Sequence, residues 1–239
     1  MRHSRSFSYA LAAVELTRPV EGSSPILEYC HLLERLKLTK REGWRRFGVN
    51  HGESISDHMW RMAMLTMIAP PPLASQLDLH KCMKMALIHD IPESLVGDLT
   101  PADAVPKPEK FRREALTMDF ITKDLLKNVP VEGMNVGRDM EATWQEFEEG
   151  KTLESRFVQD LDKIELLLQM VEYEKRGRGR IDLSQFSYVA TKILLSENKP
   201  WVNKILEERE QFWSAHGLTQ EQIRAPDDMK SLQDNYYGR

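Results

Sequence analysis

The sequence lacks the features of a disulfide-bonded, membrane-spanning or polyanion-binding protein. Its 239 residues include two cysteines, Cys30 and Cys82, which lie far apart and form no CxxC pair. A disulfide framework and a cysteine-based zinc site are therefore disfavoured, and we expect two buried thiols in a reducing compartment. No apolar run approaches the length of a membrane-spanning helix, about 20 residues. A net charge of −4 gives no basic field for a nucleic acid polymer or an anionic membrane.

The composition is that of a soluble globular protein. Hydrophobic residues make up 41% of the chain and charged residues 29%, which is a normal balance. We expect a flexible N-terminal segment at 1–24, a single domain at 25–215 and a polar C-terminal tail at 216–239. The start of the chain is basic and only faintly similar to an organelle-targeting leader. We therefore expect a cytoplasmic protein, with an organelle or the nucleus as alternatives.

Helical periodicity dominates the chain, and convincing alternating strands are absent. The pattern predicts helices near 26–40, 54–68, 78–90, 109–128, 139–149, 152–175, 184–197 and 200–214. The prolines of APPPL end the second of these helices, and the proline-rich segment 97–110 predicts an ordered loop. A methionine stripe on the second helix is more typical of a core than of a cofactor contact; it comprises Met59, Met62, Met64 and Met67. The predicted fold class is all-α.

Ionisable residues interrupt three apolar helical faces. His58 falls in the first turn of one helix, and His89 and Asp90 end another. In FVQDLDKIELLL, Asp162 lies at the margin of an apolar stripe, and Asp160 lies roughly 160° away, so only one of the two can face inward. Buried carboxylates are usually paired or bound to metal. Two histidines and two aspartates suit a divalent cation such as Mn, Fe, Co or Zn, and the lack of cysteine favours an open hydrolytic site over a structural zinc site.

Each candidate site residue, taken alone, also has a simple structural interpretation. A single histidine near a helix start is more often a hydrogen-bonded residue than a ligand. Glu93 after Pro92 fits ordinary helix N-terminal chemistry, and Asp98 in GDLTP fits an Asx turn. Trp44 fits a packing role, and Asp103 fits a cap or a second metal equally well. The joint pattern favours a metal site more than any one residue does.

The order His58, then His89 with Asp90, then Asp162 resembles the H…HD…D motif of the HD-domain metal-dependent phosphohydrolases. The flanks ESISDHMWRMAM, ALIHDIPESLVGD and FVQDLDKIE are similar to the 5′-deoxynucleotidase branch of that family. The resemblance covers roughly residues 25–175. It implies an HD-domain helical bundle that hydrolyses deoxyribonucleoside 5′-monophosphates to deoxynucleoside and phosphate.

The same resemblance implies roles for individual residues. The implied metal ligands are His58, His89, Asp90 and Asp162. Glu93 and Asp98 are implied to be catalytic, and Arg41 and Trp44, from KREGW, are implied to contact the nucleotide. Arg41 offers a planar fork for phosphate oxygens, and Trp44 offers a face that would crowd a ribose 2′-hydroxyl. The implied cofactor is Mn, Co, Fe or Zn, with magnesium at a second site left open, and the implied assembly is a homodimer.

Two other functions stay open from the sequence. One is an HD phosphohydrolase that acts on a cyclic nucleotide or on guanosine tetraphosphate. The other is an HD fold kept as a non-catalytic, metal-bound interaction module. A substrate panel separates the first alternative from a 5′-deoxynucleotidase. A non-catalytic interaction module would need partners for its buried charged groups, but it would not need Glu93.

Overall fold

Helices form nearly all of the regular structure, as the periodicity predicts. The computed structural model describes residues 24–103, 105–127, 129–131, 134–219, 221–227, 230–231 and 233–234. The predicted N-terminal segment therefore lies outside the described residues except for its last position. None of the helices within the described part of the chain has the length and apolarity that crossing a bilayer requires.

The element boundaries place most predicted helices within a few residues of their observed ends. The α-helices are α1 (Pro25–Leu38), α2 (Glu42–Arg46), α3 (Ile55–Thr66), α4 (Pro71–Ala74), α5 (Leu79–Ile88), α6 (Glu93–Val96), α7 (Lys107–Asp119), α8 (Val136–Glu149), α9 (Leu153–Arg176) and α10 (Lys199–Ala215). A π-helical turn at Phe120–Leu125 extends α7. The remaining helical segments are 3-10 turns at Pro101–Asp103, Ser184–Lys192 and Ser196–Asn198. Two-residue strands β1 (Pro130–Val131) and β2 (Met134–Asn135) form one antiparallel pair.

Side-chain caps fix where the site-bearing helices begin. The Ser54 hydroxyl accepts a hydrogen bond from the Asp57 backbone N–H at 3.2 Å, and the Asp57 carboxylate accepts one from the Ser54 N–H at 2.7 Å. This reciprocal capping box satisfies two helix-terminal donors and makes Ser54 the N-cap of α3. Asp78 caps α5 by accepting from the Lys81 N–H at 3.0 Å. The cap of α3 thereby sets the position of His58, one turn into the helix.

The long helix α9 is the centre of the fold. It packs against α3, α5, α8, α10 and the Ser184–Lys192 segment. Because elements surround it, α9 buries more than one face. Asp160 is fully buried. Its carboxylate accepts hydrogen bonds from the Leu194 and Leu195 backbone N–H groups at 2.7 and 2.9 Å. The expectation that only one of the pair Asp160 and Asp162 faces inward is therefore wrong, since Asp160 is buried against residues 194 and 195 and the half-buried Asp162 lies 3.2 Å from the fully buried His58.

Three other predictions need correction. The segment predicted as one helix at 184–197 consists of two 3-10 turns, because residues 193–195 turn to the extended backbone that meets Asp160. Helix α8 begins at Val136 rather than near 139, since the Asn135 side chain caps it. Cys30 is exposed, although Cys82 is buried, and both are free thiols.

The methionine stripe of α3 is only half buried. Met59 and Met62 belong to the core, but Met64 and Met67 are 43% and 52% exposed. The neighbouring Trp60 is 61% exposed. Because residues four and seven apart share a helix face, these side chains form an apolar surface on the outer side of α3.

The described part of the C-terminal tail packs on the Ser184–Lys192 segment. The Gln233 side-chain amide donates a hydrogen bond to the Gln185 backbone carbonyl at 2.7 Å. The Tyr188 hydroxyl donates to Asp234 at 3.1 Å. Gln233 also reaches the wall of the cavity that is described below.

Candidate functional site

The structure brings the four predicted metal ligands together from three helices. His58 lies on α3, His89 is the C-cap of α5, Asp90 follows it, and Asp162 lies on α9. Donor atoms of His58, His89 and Asp162 all lie within 4.8 Å of one another. The His58 Nε2 atom is 3.2 Å from Asp162 Oδ1 and 3.9 Å from Asp90 Oδ2. The His89 Nε2 atom is 3.2 Å from Asp90 Oδ2.

The two imidazole rings are oriented as metal ligands are. Each ring uses Nδ1 for an outer contact: His58 Nδ1 lies 2.5 Å from Glu165 Oε2, and His89 Nδ1 lies 3.0 Å from the Ala86 carbonyl oxygen. Each Nε2 atom is buried and makes no hydrogen bond within the described residues. Metal-bound histidines usually hold their second nitrogen on a carboxylate or a carbonyl in this way. Two buried Nε2 atoms beside two carboxylates therefore fit a divalent cation.

Electrostatics keep the carboxylates of this cluster ionised. Burial raises the pKa of Asp162, but His58 and Arg41 outweigh it, so the pKa lies below the ordinary range. The pKa of Asp90 is likewise lowered, because His89 and Arg41 outweigh its burial. Burial and the Arg41 charge lower the pKa of His58, yet the carboxylates of Glu165 and Asp162 raise it to about 10. A cation and protons therefore compete for this imidazole.

Glu165 belongs to a buried network that the sequence did not reveal. Its side chain is fully buried, and its second oxygen accepts a hydrogen bond from Arg61 Nε at 2.8 Å. Arg61 also donates to Gln169 at 2.7 Å and to Glu172 at 2.9 Å. The signal was available in FVQDLDKIE, because Glu165 follows Asp162 by one turn and so shares its helix face.

Replacing Glu165 with Gln should weaken metal binding by about 10- to 100-fold, the usual effect of losing a partner behind a metal-bound histidine. The reason is that a neutral amide no longer holds the His58 ring with Nε2 toward the cluster. Isothermal titration of the chelated protein with Mn²⁺ measures this change. Glu172→Gln is the matched control, because Glu172 contacts the same Arg61 but is 47% exposed. An unchanged Mn²⁺ affinity in Glu165→Gln would show that the contact does not orient the ligand.

Arg41 places a positive charge next to the cluster. Its NH1 atom is 3.4 Å from Asp90 Oδ2, and its side chain is 13% exposed. The backbone holds it there, because the Arg41 N–H donates to the Glu53 carbonyl at 3.1 Å and Arg41 is the N-cap of α2. Burial lowers the pKa of Arg41, but Asp98 and Asp90 outweigh it and the net shift is upward.

Glu93 is a buried acid with an unused oxygen. It opens the short helix α6, one turn after Asp90, and is 3% exposed. Its Oε2 atom has no hydrogen-bond partner within the described part of the chain. Burial raises the pKa of Glu93 well above its usual range, and the Asp90 and Asp98 carboxylates raise it further. Glu93 is therefore a buried acid of raised pKa beside the candidate metal ligands, which makes it a candidate proton donor.

Asp98 and Asp103 both hold loop backbone in place. One Asp98 oxygen accepts the Glu42 backbone N–H at 2.5 Å and so ties the loop after α6 to the start of α2. Asp103 accepts from the Thr100 N–H at 2.8 Å and from its hydroxyl at 2.7 Å. It also pairs with Arg46. Of the two roles weighed for Asp103, capping is the one that its contacts show.

Trp44 is a fixed part of the cavity wall. It is 2% exposed, and its indole N–H donates to Glu53 Oε1 at 2.8 Å. Its ring centroid lies 4.6 Å from that of Phe186 and 5.4 Å from that of Tyr173. These contacts give Trp44 a packing role, and the residue also borders the cavity.

A cavity of about 450 Å³ opens beside the cluster. Its wall includes Arg41, Trp44, His89, Asp90, Glu93, Asp98, Lys110, Glu114, Glu148 and Asp162. Sites for small molecules commonly have volumes of about 300–1,000 Å³. All of the sequence-predicted site residues except His58 border this space, and His58 lies fully buried behind it.

Comparisons with known proteins agree with this geometry. Residues 33–200 match the family model of the HD domain. The chain is 40% identical over 193 residues to the 5′-deoxynucleotidase hdd1 of Schizosaccharomyces pombe, spanning 81% of this chain and 94% of that protein. It is 37% identical over 153 residues to the 5′-deoxynucleotidase HDDC2 of Homo sapiens, spanning 64% of this chain and 70% of that protein.

Solved structures share the fold. The structure of HD domain-containing protein YGK1, which is from Saccharomyces cerevisiae, superposes with a TM-score of 0.63 at 29% identity and covers 85% of this chain and 95% of its own. The PH0347 protein from Pyrococcus horikoshii OT3 superposes with a TM-score of 0.60 at 27% identity, covering 78% and 99%. The all-α prediction is thereby confirmed.

Proposed function

Because the chain belongs to the HD domain family, we propose that it is a metal-dependent phosphomonoesterase of deoxyribonucleoside 5′-monophosphates, releasing deoxynucleoside and phosphate. One observation carries the proposal: two buried histidine Nε2 atoms face two aspartates, and a buried glutamate with an unpartnered oxygen lines the adjoining cavity. The relatives named 5′-deoxynucleotidases support the substrate class.

His58, His89, Asp90 and Asp162 would hold the cation. When bound there, a divalent cation acts as a Lewis acid toward the phosphoryl oxygen and lowers the pKa of a nearby water. The donor set of two nitrogens and two carboxylates suits Mn, Co, Fe or Zn.

We also propose a cytoplasmic location, as the small number of cysteines predicts.

Glu93 would carry the proton that the leaving group needs. As a water oxygen bonds to phosphorus and the bond from phosphorus to the 5′-oxygen breaks, the protonated Glu93 gives its proton to that 5′-oxygen. One proton of the water stays on the product phosphate, and the other restores Glu93. A general acid whose pKa is raised by burial suits this role at neutral pH. The oxygen of Glu93 that has no partner makes it a stronger candidate than Asp98, one of whose oxygens holds the Glu42 N–H.

Arg41 and Trp44 would recognise the nucleotide at the other wall of the cavity. The Arg41 guanidinium lies next to Asp90 and can bind phosphate oxygens through its remaining N–H groups. Trp44 is held by Glu53 and Phe186, so its edge is a rigid boundary. A rigid boundary next to the sugar would exclude a ribose 2′-hydroxyl and favour deoxyribose.

A substrate panel tests the proposed function. The protein is chelated, reloaded with Mn²⁺ or Co²⁺, and assayed for release of inorganic phosphate from deoxy and ribo 5′-monophosphates and from 3′-monophosphates. A cyclic nucleotide and guanosine tetraphosphate are assayed in parallel by following their breakdown. We expect metal-dependent release that favours deoxy 5′-monophosphates. Turnover of only the cyclic or tetraphosphate substrate would contradict the substrate class, and retained metal without any turnover would favour an interaction module.

The exposed apolar surface of α3 is the candidate interface of a homodimer. Trp60, Met64, Met67 and Ile68 expose 61%, 43%, 52% and 63% of their area and lie at helical spacing. Clustered exposed apolar side chains commonly mark a protein interface. Trp60→Lys should convert a dimer into a monomer in sedimentation velocity, because dimer formation would then bury an unpaired charge in the interface. Leu38→Lys, at a 69% exposed position on α1, is the control, and a monomeric unmodified protein would contradict the assembly.

A further inference from the structure

We propose that Lys110 binds the phosphoryl group of the substrate, in addition to Arg41. This inference rests on the proposed function and adds a substrate-binding residue to the same site. Lys110 lies on α7, outside the H…HD…D motif and outside the segment KREGW. Its role depends on contacts that only the folded chain creates.

Lys110 reaches the centre of the site from a separate element. Helix α7 packs on α6, which begins with Glu93. The Lys110 Nζ atom is 3.7 Å from Glu93 Oε1 and 3.1 Å from Glu114 Oε1. Its side chain is 21% exposed, and it borders the same cavity as Asp90. The ammonium group is therefore next to the candidate general acid and open to the substrate space.

The acidic lining of the cavity favours a cation beside the substrate. Carboxyl groups of Asp90, Glu93, Glu114 and Asp162 all border the space. A phosphomonoester brings nearly two more negative charges at neutral pH. Arg41 already lies against Asp90. A positive charge that borders the space beside Glu93 attracts such an anion, and Lys110 adds one there to that of Arg41.

The position of the Lys110 ammonium suits contact with a phosphoryl oxygen. A lysine ammonium has three N–H donors and binds phosphate as a compact point charge. Glu114, four residues later on the same helix, lies within ion-pair distance of Nζ and borders the same cavity. The 3.7 Å separation from Glu93 exceeds a hydrogen bond. A phosphoryl oxygen that enters the cavity beside Glu93 would therefore lie within reach of this ammonium.

Lys107 provides a matched comparison. It lies one turn earlier on α7, carries the same charge and also borders the cavity. It is more exposed than Lys110, and the ion pairs with Glu93 and Glu114 involve Lys110. If only the general positive field mattered, the two lysines would be equivalent. If a direct contact with the phosphoryl group matters, Lys110 alone should be required.

The experiment is isothermal titration of the Mn²⁺-loaded protein with inorganic phosphate. Loss of a charged hydrogen bond should weaken phosphate binding by about 10- to 100-fold in Lys110→Met. Lys110→Arg should restore most of the affinity, and Lys107→Met should stay within about 2-fold of the unmodified protein. The affinity for Mn²⁺ should not change in any variant, which separates a substrate contact from a structural role. Lys110→Gln is measured in place of Lys110→Met if the melting temperature of the latter is reduced.

The results separate this inference from the proposed function. Unchanged phosphate affinity in Lys110→Met and Lys110→Gln would overturn the role of Lys110, as would an equal loss in Lys107→Met. If phosphate binding depends on Lys110 but deoxynucleoside 5′-monophosphates are not hydrolysed, the phosphate site stands and the proposed function fails. If deoxynucleoside 5′-monophosphates are hydrolysed but phosphate affinity does not depend on Lys110, the proposed function stands and the role of Lys110 fails.

Discussion

Replacing Glu93 with Gln should reduce kcat for deoxynucleoside 5′-monophosphates by about 100- to 10,000-fold, the usual contribution of a general acid. The substitution keeps the shape of the side chain but removes the proton that the leaving 5′-oxygen needs. Because Glu93 is not one of the four candidate ligands, the metal content should stay the same. Turnover of saturating substrate and metal analysis of the purified variant measure the two quantities.

Glu148→Gln is the control for this prediction. Glu148 borders the same cavity, and burial raises its pKa to about 7, with Glu114 adding to the shift. It is therefore a second acid of raised pKa in the cavity wall, half-buried and not part of the Asp90–Glu93 turn. Its replacement should change kcat by only a few fold. Equal losses in both variants would mean that the general charge of the cavity, and not a proton carried by Glu93, supports the reaction.

Asp162→Ala should remove the metal. It takes away one of the two carboxylates and leaves His58 Nε2 without the oxygen that lies 3.2 Å away. Loss of an outer partner already costs about 10- to 100-fold in metal affinity, so the loss of a ligand should cost more. The melting temperature of the unmodified protein should rise when Mn²⁺ is added, because ligand binding stabilises the native state. That rise should disappear in Asp162→Ala.

Asp160→Asn is the matched control, because it alters a second buried aspartate of the same helix. Asp160 holds the Leu194 and Leu195 N–H groups and the Asn198 amide, away from the cluster. Its replacement should lower the melting temperature but leave the rise on adding Mn²⁺. The opposite pattern, with metal retained in Asp162→Ala and lost in Asp160→Asn, would contradict the ligand assignment.

The site residues that can be predicted from the sequence are mainly those that lie close together along the chain. His89 and Asp90 are adjacent, and Glu93 follows within one turn, so helix geometry places them together. His58 and Asp162 were found because an ionisable residue interrupts an apolar face. The order of these residues then indicated the family, and the match of residues 33–200 to the HD domain confirms it.

The parts that sequence reasoning missed depend on which elements become neighbours. Glu165 and Lys110 are ordinary charged residues of amphipathic helices until α9 meets α3 and α7 meets α6. The burial of Asp160 follows from the chain returning at 193–195, which no local pattern specifies. Met64 and Met67 fit a core stripe by composition, but no described element covers the outer side of α3 at these positions. Periodicity predicts a helix and its apolar side chains, and it does not predict what packs against each face.

The most direct measurement is phosphate release from a deoxynucleoside 5′-monophosphate as Mn²⁺ is titrated into the chelated protein. We predict no release without metal, release that saturates as the site fills, and a lower rate with the matching ribonucleotide. The same titration of Asp162→Ala should give no release at metal concentrations that saturate the unmodified protein. Full activity of the chelated protein would contradict a cation held by His58, His89, Asp90 and Asp162 as the centre of the reaction.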